Sequence, residues 1–255
     1  MKPIVEIRNL VKSYGVFPAV KSLSLTIPPE CIFALLGPNG AGKTTTIKML
    51  MGMLPPTSGE LTVCGLDAFR DGVAVKSHVG YLPDEPVFYD FMRGREIVRF
   101  AGEMHALPRA VVVERMNTLA ERLQILDALD EFAENYSRGM KKKLGLILAL
   151  LHEPELLILD EPTNGLDPHG TQELHALMRE TAASGRSVLF STHLLEQAEK
   201  LCDRVAVMNH GAIAAEGTLT DLRQRFGAEI DLETLFFQLT EPASTSPCLE
   251  TASKE

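Results

Sequence analysis

The stretch CIFALLGPNGAGKTT, residues 31–45, decides how the rest of the chain is read. Its first half is continuously apolar, which suits a strand buried on both faces. Its second half fits G-x-x-x-x-G-K-[ST] with Gly37, Gly42, Lys43 and Thr44. Beyond it Ile47, Leu50, Met51 and Leu54 recur at helical spacing. Strand, glycine loop and helix in that order are what a phosphate cradle needs. The glycines let backbone N–H groups curl around phosphate oxygens, Lys43 reaches the outer phosphates, and the Thr44 hydroxyl is placed to ligate Mg²⁺.

Upstream, SLSLTI (22–27) alternates strictly and reads as a strand with one wet face, with IVEIRNL (4–10) as its antiparallel neighbour. Downstream, residues 90–151 are patterned as helices, around REIVRFAGEMHAL, RAVVVERMNTLAERLQIL and KKKLGLILALL. Two more buried-strand runs follow, LLILD and SVLF, with the helical TQELHALMRETAA between them, so parallel βαβ units are expected. VAVMNHGAIAAEG reads as a closing hairpin, and residues 241–255, EPASTSPCLETASKE, have the composition of a disordered tail. The fold class is therefore α/β.

Composition removes several alternatives. With 255 residues the chain is long enough for a substantial core, and a net charge of −9 provides no basic field for nucleic acid, so none is expected as a partner. Cys31, Cys64, Cys202 and Cys248 are scattered without a CxxC pair, which argues against a zinc site or a disulfide framework. No run approaches the roughly 20 apolar residues of a membrane span, and the N-terminal stretch shows no apolar core of signal-peptide length.

Three further segments carry chemistry. ELLILDEP (155–162) ends a buried strand on Asp160 and Glu161, at the sheet edge where open α/β folds hold ligands. Paired acids there are costly unless a cation or a polarised water needs them, so Asp160 is assigned to the Mg²⁺ shell and Glu161 to activating water. SVLFSTH (187–193) brings His193 to the same edge. In NYSRGMKKKLGLILALL (135–151), Ser137 stands where an N-cap would, with Gly139 next. Lys141, Lys142 and Lys143 then fall at the helix end that disfavours cations. Taken alone, a solvated lysine face is the simpler reading; otherwise something negative faces that end.

Together these segments resemble the ATP-binding subunit of ABC transporters, over nearly the whole chain to about residue 225. GPNGAGKTT is similar to that family's Walker A loop, LLILDEP to Walker B, YSRGM to the signature motif, GLD (165–167) to the D-loop, and His193 to the switch histidine. The resemblance implies a P-loop NTPase with a mixed-sheet core, an antiparallel β subdomain and an inserted helical subdomain. It divides the chain into an ATP-binding core (1–85 and 151–227), a helical signature subdomain (86–150), a C-terminal segment (228–240) and the tail.

What the family does then supplies expectations. ATP would be bound by Tyr14, stacking on adenine, and by Gly37, Pro38, Asn39, Gly40, Ala41, Gly42, Lys43, Thr44 and Thr45. Ser137, Arg138, Gly139 and Met140 would meet the ATP of a second subunit, identical or different, with Asp167 in the D-loop. Glu161, His193 and Lys43 would be catalytic, with Mg²⁺ on Thr44, Asp160 and Asp84. An integral membrane permease would hold the protein at the cytoplasmic face of the cell membrane. A soluble ABC ATPase outside transport is the alternative; a small-molecule P-loop kinase leaves YSRGM, the D-loop and His193 unexplained together.

Two departures from the family pattern stand out. Tyr136, Arg138 and Met140 replace three residues of the common LSGGQ signature, and this variant, with DLETLFFQLT (231–240), looks more like the branch paired with ABC-2 type exporter permeases. In VGYLPDEPVFYD (79–90), Asp84 stands where the family usually has Gln, between Pro83 and Pro86, with Glu85 beside it. An ionised carboxylate can bind Mg²⁺ through water but cannot donate a hydrogen bond. The resemblance also sets the permease beside this loop, with Phe88 and Tyr89 as candidate contacts.

Overall fold

The computed structural model describes residues 2–227 and 231–240. The expected tail at 241–255, with Cys248, lies outside the described residues.

The chain opens with the antiparallel pair β1 (Val5–Tyr14) and β2 (Phe17–Ile27), followed by β3 (Ile32–Leu36) and α1 (Lys43–Leu50). After β4 (Ser58–Val63) and the short β5 (Leu66–Asp67) come α2 (Gly72–His78) and β6 (Val79–Leu82). The helical stretch holds α3 (Gly94–Met104), α4 (Arg109–Arg122) and α5 (Arg138–Leu150). Then β7 (Leu156–Asp160), α6 (Pro168–Ala183), β8 (Ser187–Thr192), α7 (Leu195–Leu201), β9 (Arg204–Asn209) and β10 (Ala212–Gly217) alternate. The helices α8 (Leu219–Phe226) and α9 (Leu232–Thr240) close the described chain.

Two sheets result. One runs β2-β1-β4-β5, and the other runs β10-β9-β3-β8-β7-β6, parallel except for β10. The apolar pattern explains why the second is central. Along β3, Ile32, Ala34 and Leu36 join the core under the helices, while Phe33 and Leu35 join the core shared with β1, β2, β4 and α1. In β7, Leu157 and Leu159 take the first side and Leu156 and Ile158 the second. Period-two side chains on a sheet covered on both faces must be apolar on both, as they are along β3 and along β7 up to Leu159.

Two local expectations change. Helix α1 stops at Leu50, where Gly52 turns the chain at φ +62°, so Leu54 lies beyond it and packs at the core's edge. The first helix of the inserted stretch starts at Gly94, beyond Asp90 as its pattern implies. The solvated lysine face is wrong for two of its three members: Lys142 is 1% exposed and Lys143 6%. Their ammonium groups have partners in the site, described next. Among the described residues, no helix is long and apolar enough to cross a membrane.

Candidate functional site

A cleft of about 350 Å³ lies at the carboxyl end of β3, lined by Tyr14, Phe17, Ala19, residues 38–45, Asp84 and Glu161. The loop can take this shape because Gly42 sits at φ +107°, with room for only a hydrogen: a Cβ there would come within 2.7 Å of the Ala19 carbonyl. Thr44 is exposed to the cleft, and Thr46 anchors the helix start by donating to the Gly42 carbonyl at 3.0 Å. Tyr14 and Phe17 are cross-strand partners at the end of the β1–β2 hairpin, half exposed or more at the cleft's mouth. Phe17 is not singled out by the sequence, where it lies before the alternating run 22–27; only the hairpin pairing brings it opposite Tyr14.

The buried Lys43 ammonium donates to the Gly37 carbonyl at 2.6 Å and to that of Pro38 at 3.4 Å, and lies 3.2 Å from Oε1 of Glu161. The other oxygen of Glu161, Oε2, is 2.9 Å from Nδ1 of His193. Glu161 adopts a positive φ of 44°, uncommon for a residue with a side chain, at the point where β7 ends. Its N–H donates to Oγ of Ser191 at 3.0 Å, and Ser191 donates in turn to Oδ1 of Asp160 at 2.5 Å. Ser191 escaped sequence reasoning, although it is the parallel partner of Asp160 across β7 and β8.

The second oxygen of Asp160, Oδ2, is buried and without a hydrogen-bond partner. An orphaned carboxylate oxygen is costly unless a cation or water meets it. That oxygen and the Thr44 hydroxyl are both hard oxygens, the chemistry that suits Mg²⁺. No cluster of three or more His, Cys, Asp or Glu that could hold a metal occurs among the described residues.

Asp84 reaches the cleft, and its carboxylate oxygen Oδ1 meets Asn164 Nδ2 at 3.1 Å, Lys142 Nζ at 3.4 Å and Arg138 Nη2 at 3.6 Å. Glu85 is mostly exposed, pairs with Arg138 at 3.6 Å, and does not line the cleft. Tyr81, on β6 behind this acid cluster, has its phenol pushed up to about 12, mainly by burial and then by Asp160 and Asp84.

Ser137 caps α5, its Oγ accepting from the Met140 N–H at 3.2 Å. Ser137 and Arg138 are exposed, and the signature residues 137–140 do not line the cleft of their own chain. Gly139 has a steric reason: a Cβ there would come within 2.7 Å of the Gly165 carbonyl in the loop before α6. Asp167 caps α6 by accepting from the Gly170 N–H at 2.6 Å, and takes the Lys143 ammonium at 2.8 Å. That ammonium, followed by the Gly170 N–H, holds the Asp167 carboxyl below its ordinary value. Phe88 is partly buried against the helical core, whereas Tyr89 is exposed and tilted against Phe91 at 5.8 Å.

Residues 20–164 match the family model described as ABC transporter. The chain is 42% identical to YxlF, an ABC transporter ATP-binding protein of Bacillus subtilis (strain 168), over 87% of this chain and 73% of that protein. It is 34% identical to the Nod factor export ATP-binding protein I of Cupriavidus metallidurans, over 95% of this chain and 88% of that one. A solved ATP-binding subunit of an ABC transporter superposes with a TM-score of 0.89 at 33% identity, covering 93% of this chain and all of that structure.

Proposed function

The chain belongs to the ABC transporter family as an ATP-binding subunit, and we propose that it hydrolyses ATP to drive export through a separate integral membrane permease. Two such cassettes, identical or different, would close head to tail with an ATP in each joint. The observation that carries this reading is the line Lys43–Glu161–His193 at the end of a phosphate-cradling loop, at 3.2 and 2.9 Å. The exposed signature segment outside the same chain's cleft supports a second copy as the source of the missing wall.

In this reading the P-loop amides and Lys43 bind the triphosphate and Tyr14 stacks on the base. Thr44 and Asp160, with Asp84 beside them, would hold Mg²⁺, whose chemistry there is to neutralise charge on the phosphate oxygens. Glu161 accepts the proton of the attacking water and aims it in line, while His193 holds the Glu161 carboxylate and stands ready for the transferred phosphoryl group. Ser137 and the N-terminus of α5 donate to the γ-phosphate bound by the partner, with Arg138, Gly139 and Met140 forming the rest of that wall and Asp167 the D-loop beside it.

Residues 1–85 and 151–227 act as the ATP-binding core and residues 86–150 as the helical unit, with the 79–90 stretch as the joint. The exposed Tyr89 and Phe91 beside that joint offer the permease an apolar contact at the cytoplasmic face of the membrane. Export as the direction is supported by the likeness to the Nod factor export ATP-binding protein. The test is purification under mild detergent from its native cells. An integral membrane protein that copurifies and raises the ATPase rate upholds the reading; full ATPase activity with no membrane partner would favour a soluble ATPase outside transport.

A further inference from the structure

Lys142 occupies the point where two strand ends part. The β6–β7 ladder runs from Val79↔Leu156 to Leu82↔Leu159 and then stops. Just past it the Lys142 ammonium, reaching in from the second turn of α5, donates to the carbonyls of Asp84 at 2.8 Å and Glu161 at 2.9 Å. Those of Pro83 and Asp160 lie at 3.3 and 3.4 Å. The carboxylate oxygen Oδ1 of Asp84 is also 3.4 Å away. An ammonium has three donors and no acceptor, so a ring of oxygens from two strand ends is the environment that compensates its burial.

We infer that Lys142 is a positioning residue for ATP hydrolysis: it brackets the ends of β6 and β7, sets Asp84 and Glu161 at their mutual distance, and ties both to the helix that Ser137 caps. The inference rests on the ATPase reading above. It also gives Asp84 a reason to be an acid. With an uncharged amide at position 84 the buried ammonium would lose the carboxylate 3.4 Å away, so the two residues form a unit and not two independent choices. Glu161 is gripped on both sides of its unusual backbone, by Ser191 on its N–H and by Lys142 on its carbonyl. Because Lys142 does not line the ATP cleft, its loss acts on turnover more than on nucleotide binding.

The experiment compares the full chain with Lys142→Gln, Asp84→Gln and the double variant, following kcat and KM for ATP, binding of a non-hydrolysable ATP analogue, and melting temperature. Lys142→Gln is expected to lower kcat roughly 10- to 100-fold, as displaced catalytic groups do, with KM within about threefold. The double variant is expected to lose less than the product of the two single losses, because each single change leaves the other member unpaired. A Lys142→Gln kcat within about twofold of the parent overturns the inference, as does a double variant equal to that product. If the single variant fails to fold, the double decides: turnover above that of Asp84→Gln upholds the coupling and turnover below it overturns it. A parent chain that hydrolyses no ATP would instead sink the function proposed above.

Discussion

Oε2 of Glu161 lies 2.9 Å from Nδ1 of His193, and its other oxygen faces the Lys43 ammonium at 3.2 Å. One carboxylate thus stands between a cation from α1 and an imidazole just past β8, with its main chain pinned by Ser191. Replacing Glu161 by Gln keeps the shape and removes the base. ATP binding should survive while kcat falls about 10²- to 10⁴-fold, and a dimer should accumulate with ATP in size-exclusion chromatography. Near-normal phosphate release from Glu161→Gln would remove this residue from the role.

Ser137 has two functions that one substitution can separate. As an N-cap it accepts the Met140 N–H, and Asp serves at that position about as well as Ser. Ser137→Asp should therefore melt within a few degrees of the parent. A carboxylate facing the partner's γ-phosphate is nonetheless repelled, so turnover should drop by at least about tenfold. Parental turnover in a stably folded Ser137→Asp chain would rule out contact of this serine with the partner's nucleotide.

Tyr14 and Phe17 face each other across the hairpin at the mouth of the cleft. Aromatic stacking is worth about 0.5–1.5 kcal/mol, so Tyr14→Ala should raise KM for ATP roughly two- to tenfold and leave kcat close to the parent value. The same measurement on Phe17→Ala shows whether the base is gripped from one side or both. An unchanged KM in both variants places the base elsewhere.

His152 stacks on His105 with ring centroids 3.8 Å apart, and neither of its ring nitrogens finds a hydrogen bond. Burial, reinforced by the neighbouring His105, pushes its pKa down to about 4. The unfolded chain binds that proton near pH 6.5 and the folded chain does not. The stabilisation is complete above about 6.5 and is lost as pH falls from there towards 4. His152→Phe keeps a ring for the stack and removes the titration. Its melting temperature should fall less than the parent's between pH 6.5 and 4; parallel curves would show that His152 is not the group responsible.

The parts of this protein that could be read from residues alone are those whose causes are local. The buried strand before Gly37, the turn at Gly42 and the helix after Lys43 are contiguous, so periodicity and glycine placement suffice. Asp160 and Glu161 were legible because acids seldom end a buried strand without purpose, and Ser137 because a cap is a one-turn affair. The exporter-branch likeness and the domain boundaries came from resemblance, and the site roles assigned to single residues await the experiments above.

Lys142 shows what the sequence could not decide. Helical spacing sets it one turn into α5, where a lysine ordinarily snorkels to water. Its real partners are the Asp84 carbonyl 58 residues away and the Glu161 carbonyl 19 residues away. Ser191 on Asp160 and Asn164 on Asp84 bridge 31 and 80 residues in the same manner. By itself the sequence determined the strand–loop–helix cradle, the parallel alternation and the residue types that could carry phosphate chemistry. Only the tertiary structure decided which strand ends separate beyond their ladder, and so which buried carbonyls lack partners and recruit an ammonium. Backbone hydrogen bonding is satisfied globally, and a one-dimensional pattern records only its local share.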